Sequence, residues 1–155
     1  MLILAPFVAA GVSVGPIRLG ETYRGVVGEL GKGTITHRCS GKDDLPASEC
    51  SRALEYASDA HLITVTFFVT DGVERVSDIL VEHNISARDP RLMKAQRLKS
   101  HVAWNWQGND VTSGRIPISV PGWVRKEPGV FVKADRSGVA AVFERSGRQF
   151  QLATM

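Results

Sequence analysis

The chain is poor in the residues that announce chemistry. Of its 155 residues only two are cysteines and four are histidines. It contains no C-x-x-C pair, no H-E-x-x-H, no G-x-S-x-G elbow and no phosphate loop. Those absences remove the spacings on which standard zinc modules, zincins, α/β-hydrolases and P-loop nucleotide binders depend. Aromatic residues make up 7%. No apolar run approaches the roughly 20 residues that a spanning helix needs. Low-complexity linkers are also missing, so nothing cuts the chain into separate units. What remains is ordinary globular material, 43% hydrophobic and 23% charged, long enough to bury one core.

Charge is unevenly placed. Residues 1–85 carry 7 Lys/Arg and 11 Asp/Glu, whereas residues 86–155 carry 12 and 5. An acidic first half and a basic second half fit either mutual attraction and a solvated basic face or an anionic partner for the second half. The first eleven residues, Met1 to Gly11, are apolar and end in small side chains. They read as the remnant of a signal peptide without its basic region, or as a first strand. Residues 12–155 then form a single domain, exported in the first case and cytoplasmic in the second.

Cys39 and Cys50 flank a polar loop that holds Gly41, Asp43, Asp44 and Pro46. In an oxidising compartment a disulfide here would close a short loop and stabilise by about 2–3 kcal/mol. In the cytosol both would be free thiols. A rival set, His37, Cys39, Cys50 and His61, offers four zinc donors without the spacing of a standard module. The four histidines, His37, His61, His83 and His101, show no ligand spacing among themselves. The sequence therefore points to no metal, no cofactor and no catalytic residue.

Local patterns are clearest in residues 12–85. Thr22 is placed to cap a helix, because its hydroxyl can accept from a free amide of the first turn. Tyr23, Val26, Val27 and Leu30 fall on one stripe at helical spacing, and Gly31 stands where a left-handed stop is wanted. A strand over Gly33–Arg38 follows, and residues 52–57 form a strand or a short helical turn. His61–Val69 is rich in β-branched and aromatic residues, with Ile63, Val65, Phe67 and Val69 on one side and Thr64 and Thr66 on the other. Thr70-Asp71-Gly72 is a hairpin turn. The return strand, Val73–Glu82, alternates imperfectly, which places a bulge near Asp78.

Residues 86–155 begin with Asp89-Pro90, a cap residue and a first-turn proline. A helix is expected over 91–101, with Leu92, Ala95, Leu98 and Val102 on one side. Arg91, Lys94, Arg97, Lys99 and His101 cover the rest. Such a basic helix is either a solvated surface element or a binder of nucleic acid or another anionic polymer. All three tryptophans lie in the Gly- and Pro-punctuated stretch 103–129. The spacing of Trp104 and Trp106 puts both rings on one face of a strand, where they cover a sheet or anchor a partner. Three strands, over 130–134, 138–144 and 148–152, close the chain. The two halves echo one another faintly as strand, Gly turn and strand.

Gly20-Glu21-Thr22, Leu30-Gly31 and the His61–Glu82 hairpin occur in the order of a known module. In that order residues 12–82 resemble the helix-then-sheet unit shared by the small lipoprotein of the outer-membrane β-barrel assembly machine and the β-lactamase inhibitory protein. They also resemble secreted proteins of Gram-positive actinobacteria. The second half lacks a matching helix start and stop. The resemblance implies scaffolding or protein binding and carries no catalytic residues.

Together these readings give an α+β domain, one or two short helices on one face of an antiparallel sheet, with two degenerate halves as a variant. The expected core is Ile17, Leu19, Val26, Val27, Leu30, Ile63, Val65, Phe67, Val76, Ile79, Val139, Val142, Phe143 and Phe150. The expected function is an exported, non-enzymatic module that binds another protein or an envelope component. Its expected binding residues are Trp104 and Trp106, joined by Arg91, Lys94 and Arg97. Its two alternatives are the anionic-polymer binder and an enzyme whose site assembles from distant residues.

Overall fold

The computed structural model describes residues 13–14, 16–38, 51–59, 61–83, 85–98, 124–127, 130–135, 138–145 and 148–154. Their elements run β1 (Ser13–Val14), β2 (Ile17–Arg18), α1 (Tyr23–Leu30), β3 (Thr34–Arg38), β4 (Ser51–Ser58), β5 (His61–Thr70), β6 (Val73–Glu82), α2 (Pro90–Lys94), β7 (Gln96–Arg97), β8 (Val124–Glu127), β9 (Val130–Asp135), β10 (Gly138–Arg145) and β11 (Arg148–Thr154). The fold is α+β. One sheet joins both halves in the order β3-β4-β5-β6-β11-β10-β9-β8. Neighbours along it are antiparallel, and β7 adds a short parallel pairing on β4.

α1 forms for the local reasons its sequence gives. The Thr22 hydroxyl accepts from the Gly25 amide at 3.1 Å. Gly31 takes φ 92, and its amide donates to the Val27 carbonyl. Gly25 and Gly28 weaken so short a helix by about 1 kcal/mol each relative to Ala, so packing has to hold it. Val26 and Leu30 supply that packing, buried with Ile17, Leu54, Tyr56, Ile63, Val65, Phe67, Val76, Ile79 and Val81 in the main core. Leu19, Tyr23 and Val27 pack against the same cluster. Full burial of a Val or Leu side chain is worth about 1.5–3 kcal/mol, enough to outweigh the two glycines.

The β5–β6 hairpin turns at Asp71 and Gly72, φ 51 and 76, the two positive values of the turn that matches strand twist. Its register shifts between Thr66 and Phe67, which leaves Ser77 without an opposite residue. The bulge expected near Asp78 is therefore at its neighbour. It falls where β6 changes partners on its outer edge. Residues 78–82 pair with β11, whereas Val76 exchanges backbone hydrogen bonds with Gly20 and Glu21. β4 changes partners in the same way: β3 lies along 51–55 and β7 along 56–57.

The segment left open as strand or turn at 52–57 is a strand, and it brings Leu54 and Tyr56 into the core. The expected helix over 91–101 is overturned. α2 stops at Lys94, Ala95 is extended, and Gln96-Arg97 pair with β4. Its one buried leucine, Leu92, joins Ala57, Leu62, Ile85 and Ala95 in a smaller cluster. Ala57 is opposite Leu62 and Tyr56 is opposite Ile63, so the two clusters lie on opposite faces. The helices thus cover both faces of the sheet instead of sharing one. In the second half the three expected strands are present with slightly longer bounds, and β8 is an additional one. Phe150 is half-buried; the side chains of Val139, Val142 and Phe143 lie outside the described residues.

Candidate functional site

Four places carry side chains beyond what the fold alone requires. The first is α2. Asp89 caps it, accepting from the Arg91 amide at 2.9 Å. The Arg91 guanidinium reaches Glu82 at 3.0 Å and Asp89 at 3.1 Å. Glu82 is buried, so a large part of Arg91's charge serves to neutralise a carboxylate that would otherwise be desolvated alone. The Arg91 hydrogen bonds hold the Asp89 carboxyl below its ordinary value. Lys94 is exposed, and its carbonyl accepts from the Thr34 hydroxyl at 2.8 Å. Arg97 points its guanidinium at the Asp59 carbonyl, 3.4 Å away. Arg91 and Lys94 stand on α2 whereas Arg97 lies on β7, so the three cations do not line one helix. Beside them lies a small cavity of about 160 Å³ lined by Asp59, Ile85, Ala87, Leu92, Met93 and Arg97.

The second place is the tip of the β5–β6 hairpin. Phe68 is 59% exposed, Val69 61% and Val73 39%. Phe68 pairs with Arg75, and Val73 with Thr70, so Phe68 and Val73 are diagonal neighbours on one face. Val69, expected to point into the core with Ile63, Val65 and Phe67, shares their face but lies past the end of the packed region. At the base of the tip, on the α1 face, Arg52 sits 3.8 Å over the Tyr23 ring and binds Glu74 through two nitrogens at 3.0 and 2.5 Å.

The third is a cleft of about 510 Å³ beside the start of α1, lined by Pro16, Arg18, Leu19, Gly20, Glu21 and Glu29. Glu21 accepts from the Arg18 amide at 3.1 Å. Partial burial, then the hydrogen bond and charge of Glu21, push the Glu29 carboxyl up to about 7. Glu21 and Glu29 are a like-charge pair that the fold brings together.

The fourth is a histidine pair at the opposite end of the hairpin from its tip. His61 and His83 lie one residue beyond the Leu62–Glu82 pair of β5 and β6. Their Nδ1 atoms are 3.1 Å apart, and the rings meet edge to face with centroids at 4.6 Å. His83 is buried and His61 half-buried. Burial lowers the His61 pKa, against the opposing charge of Asp59. Spacing rules do not find this pair, because its members are 22 residues apart and meet only through strand register.

The same register separates the rival zinc donors. His37 is opposite Arg52 and His61 opposite Ser58 on β4. Six residues of strand put them about 20 Å apart, too far for one ion. Cys39, Cys50, Trp104, Trp106, Lys99 and His101 lie outside the described residues. Among the described residues no helix is long and apolar enough to cross a membrane. No protein-family model, curated protein or solved structure matches the chain.

Proposed function

We propose that the chain is an extracytoplasmic, non-enzymatic module that binds another protein or an envelope component, and that the β5–β6 hairpin tip is part of its contact surface. The observation that carries this reading is the exposure of Phe68 and Val73 as diagonal neighbours on one face of the hairpin tip, with Val69 exposed on the other face. A hairpin closed by a tight turn presents these groups with a smaller ordering penalty on binding than a loose loop would, and Phe is enriched at protein interfaces. The salt-bridged Arg52–Glu74 pair borders Val69 on the α1 face as a polar rim. The resemblance of residues 12–82 to a scaffolding and inhibitory module supports the same reading, and so does the engagement of Arg91 by two carboxylates. Trp104 and Trp106 remain the second part of the proposed surface.

A photo-crosslinking residue at position 68 of the full chain, produced in its native host, tests the proposal. A discrete protein adduct is expected from position 68 and not from exposed Lys32. The adduct should fall at least about tenfold when Val69 and Val73 become Asp, because a charge cannot enter an apolar contact without desolvation. No adduct at 68, or equal adducts at 68 and 32, refutes the tip as a contact surface.

A further inference from the structure

The cavity beside α2 joins an apolar floor to two charges that do not neutralise one another. Ile85 and Leu92 line it and are buried, 3% and 5% exposed, and Met93 lines it and is exposed. Asp59, Ala87 and Arg97 complete the lining and are exposed as well. Its volume of about 160 Å³ matches the cavity of about 150 Å³ that holds a benzene ring in an apolar protein interior. A branched aliphatic group fills such a space. Asp59 stands in the turn between β4 and β5, and Arg97 lies on β7. The Arg97 guanidinium reaches the Asp59 carbonyl at 3.4 Å, which leaves most of its five N–H donors open. Among the described residues the ion pairs are Arg52–Glu74, Arg91–Glu82 and Arg91–Asp89, and the Asp59 and Arg97 side chains form none.

This lining selects by charge. A plain carboxylate meets Arg97 but is repelled by Asp59, and a plain amine meets Asp59 but is repelled by Arg97. A ligand that carries both signs on adjacent groups satisfies both. We propose that the cavity binds a free α-amino acid with a branched aliphatic side chain, such as L-leucine. Arg97 donates to the ligand carboxylate, Asp59 accepts from its ammonium, and Ile85, Leu92 and Met93 take the side chain. Met93, unbranched and polarizable, adapts to the shape of the apolar group. The site adjoins the start of β5, at the opposite end of that strand from the hairpin tip. It shares no residue with the tip, so its test is independent of the proposed contact surface.

Methyl NMR of the full chain, titrated with L-leucine, tests the assignment; low ionic strength keeps the exposed charges unscreened. The Ile85, Leu92 and Met93 methyl signals should follow one saturating curve, with a dissociation constant on the order of 1 mM. Isocaproate lacks the ammonium, isoamylamine lacks the carboxylate and L-alanine lacks the branched tail. Each should bind at least about fivefold more weakly than L-leucine. Arg97→Gln and Asp59→Asn should each weaken L-leucine binding by a similar factor. Asp59 takes φ 50, a left-handed value that Asn also adopts readily, so the turn is retained in that variant. Unshifted methyl signals, isocaproate binding as tightly as L-leucine, or binding that either substitution leaves unchanged overturns the proposal.

Discussion

α1 and α2 cover opposite faces of one sheet, and they are held there by different chemistry. α1 is eight residues long and relies on apolar contact, its Val26 and Leu30 inserted into an eleven-residue buried cluster. α2 is five residues long and buries one leucine; its anchor is the Glu82–Arg91–Asp89 network. Their polar edges differ as well. Beside α1 two carboxyls, Glu21 and Glu29, face one another, whereas beside α2 opposite charges meet. A helix too short to persist in water can thus be fixed either by non-directional burial or by directional ion pairs and a cap. The first route tolerates two glycines. The second tolerates almost no apolar area.

The largest effects should come from the apolar side. Leu30→Ala is expected to destabilise by about 3–4 kcal/mol, and Leu92→Ala by only about 2 kcal/mol, because the smaller cluster adjoins a cavity and can relax. Chemical denaturation of both variants checks this, and an equal or larger loss at Leu92 breaks the contrast. Gln96→Ala should come next. The Gln96 amide donates to the Leu30 carbonyl at 2.9 Å and accepts from the Gly33 amide at 2.6 Å, so it ties the end of α1 to the segment after α2. Its loss leaves two partly buried backbone groups unpaired, at about 1–3 kcal/mol. Hydrogen exchange should then speed up at Gly33 and leave the Asp71 turn unchanged.

The smallest effect separates the two polar edges by pH. Glu29 is raised from 4.5 to about 7, so the folded chain binds its proton more tightly than the unfolded chain does. Its contribution is complete below pH 4.5 and is lost as pH rises through 7. Asp89 is lowered from 3.8, so its contribution is present above that pH and is lost as pH falls below it. Glu29→Gln should therefore gain stability relative to the parent between pH 4.5 and 7, with little change below. Melting curves across that range show the difference, and a parallel pair of curves rules out the carboxyl pair as its source.

Much of the first half was legible because its signals are local. The Thr22 cap, the Gly31 stop, the Asp71-Gly72 turn and the bulge beside Asp78 each depend on a few adjacent residues. So does the alternation of His61–Val69, although Val69 shows its limit: strand position gave its face, but the reach of the packed region determined its exposure. Leu54 and Tyr56 were missed because a short segment with mixed pattern does not say whether it will be central or peripheral. The α2 error has a clearer cause. Leu92, Ala95 and Leu98 fit a helix, yet the open edge of β4 past residue 55 and the paired amide groups of Gln96 offered the backbone a better set of hydrogen bonds.

The sequence by itself determined α1, β3, β5 and β6, the α+β class and most of the main core, since propensity, capping and periodicity act within a few residues. Only the tertiary structure decided that the helices lie on opposite faces, that Arg91 spends its charge on Glu82, and that His61 meets His83. Each of these joins residues distant along the chain. Strand register brings them together, and it is set by the whole sheet at once.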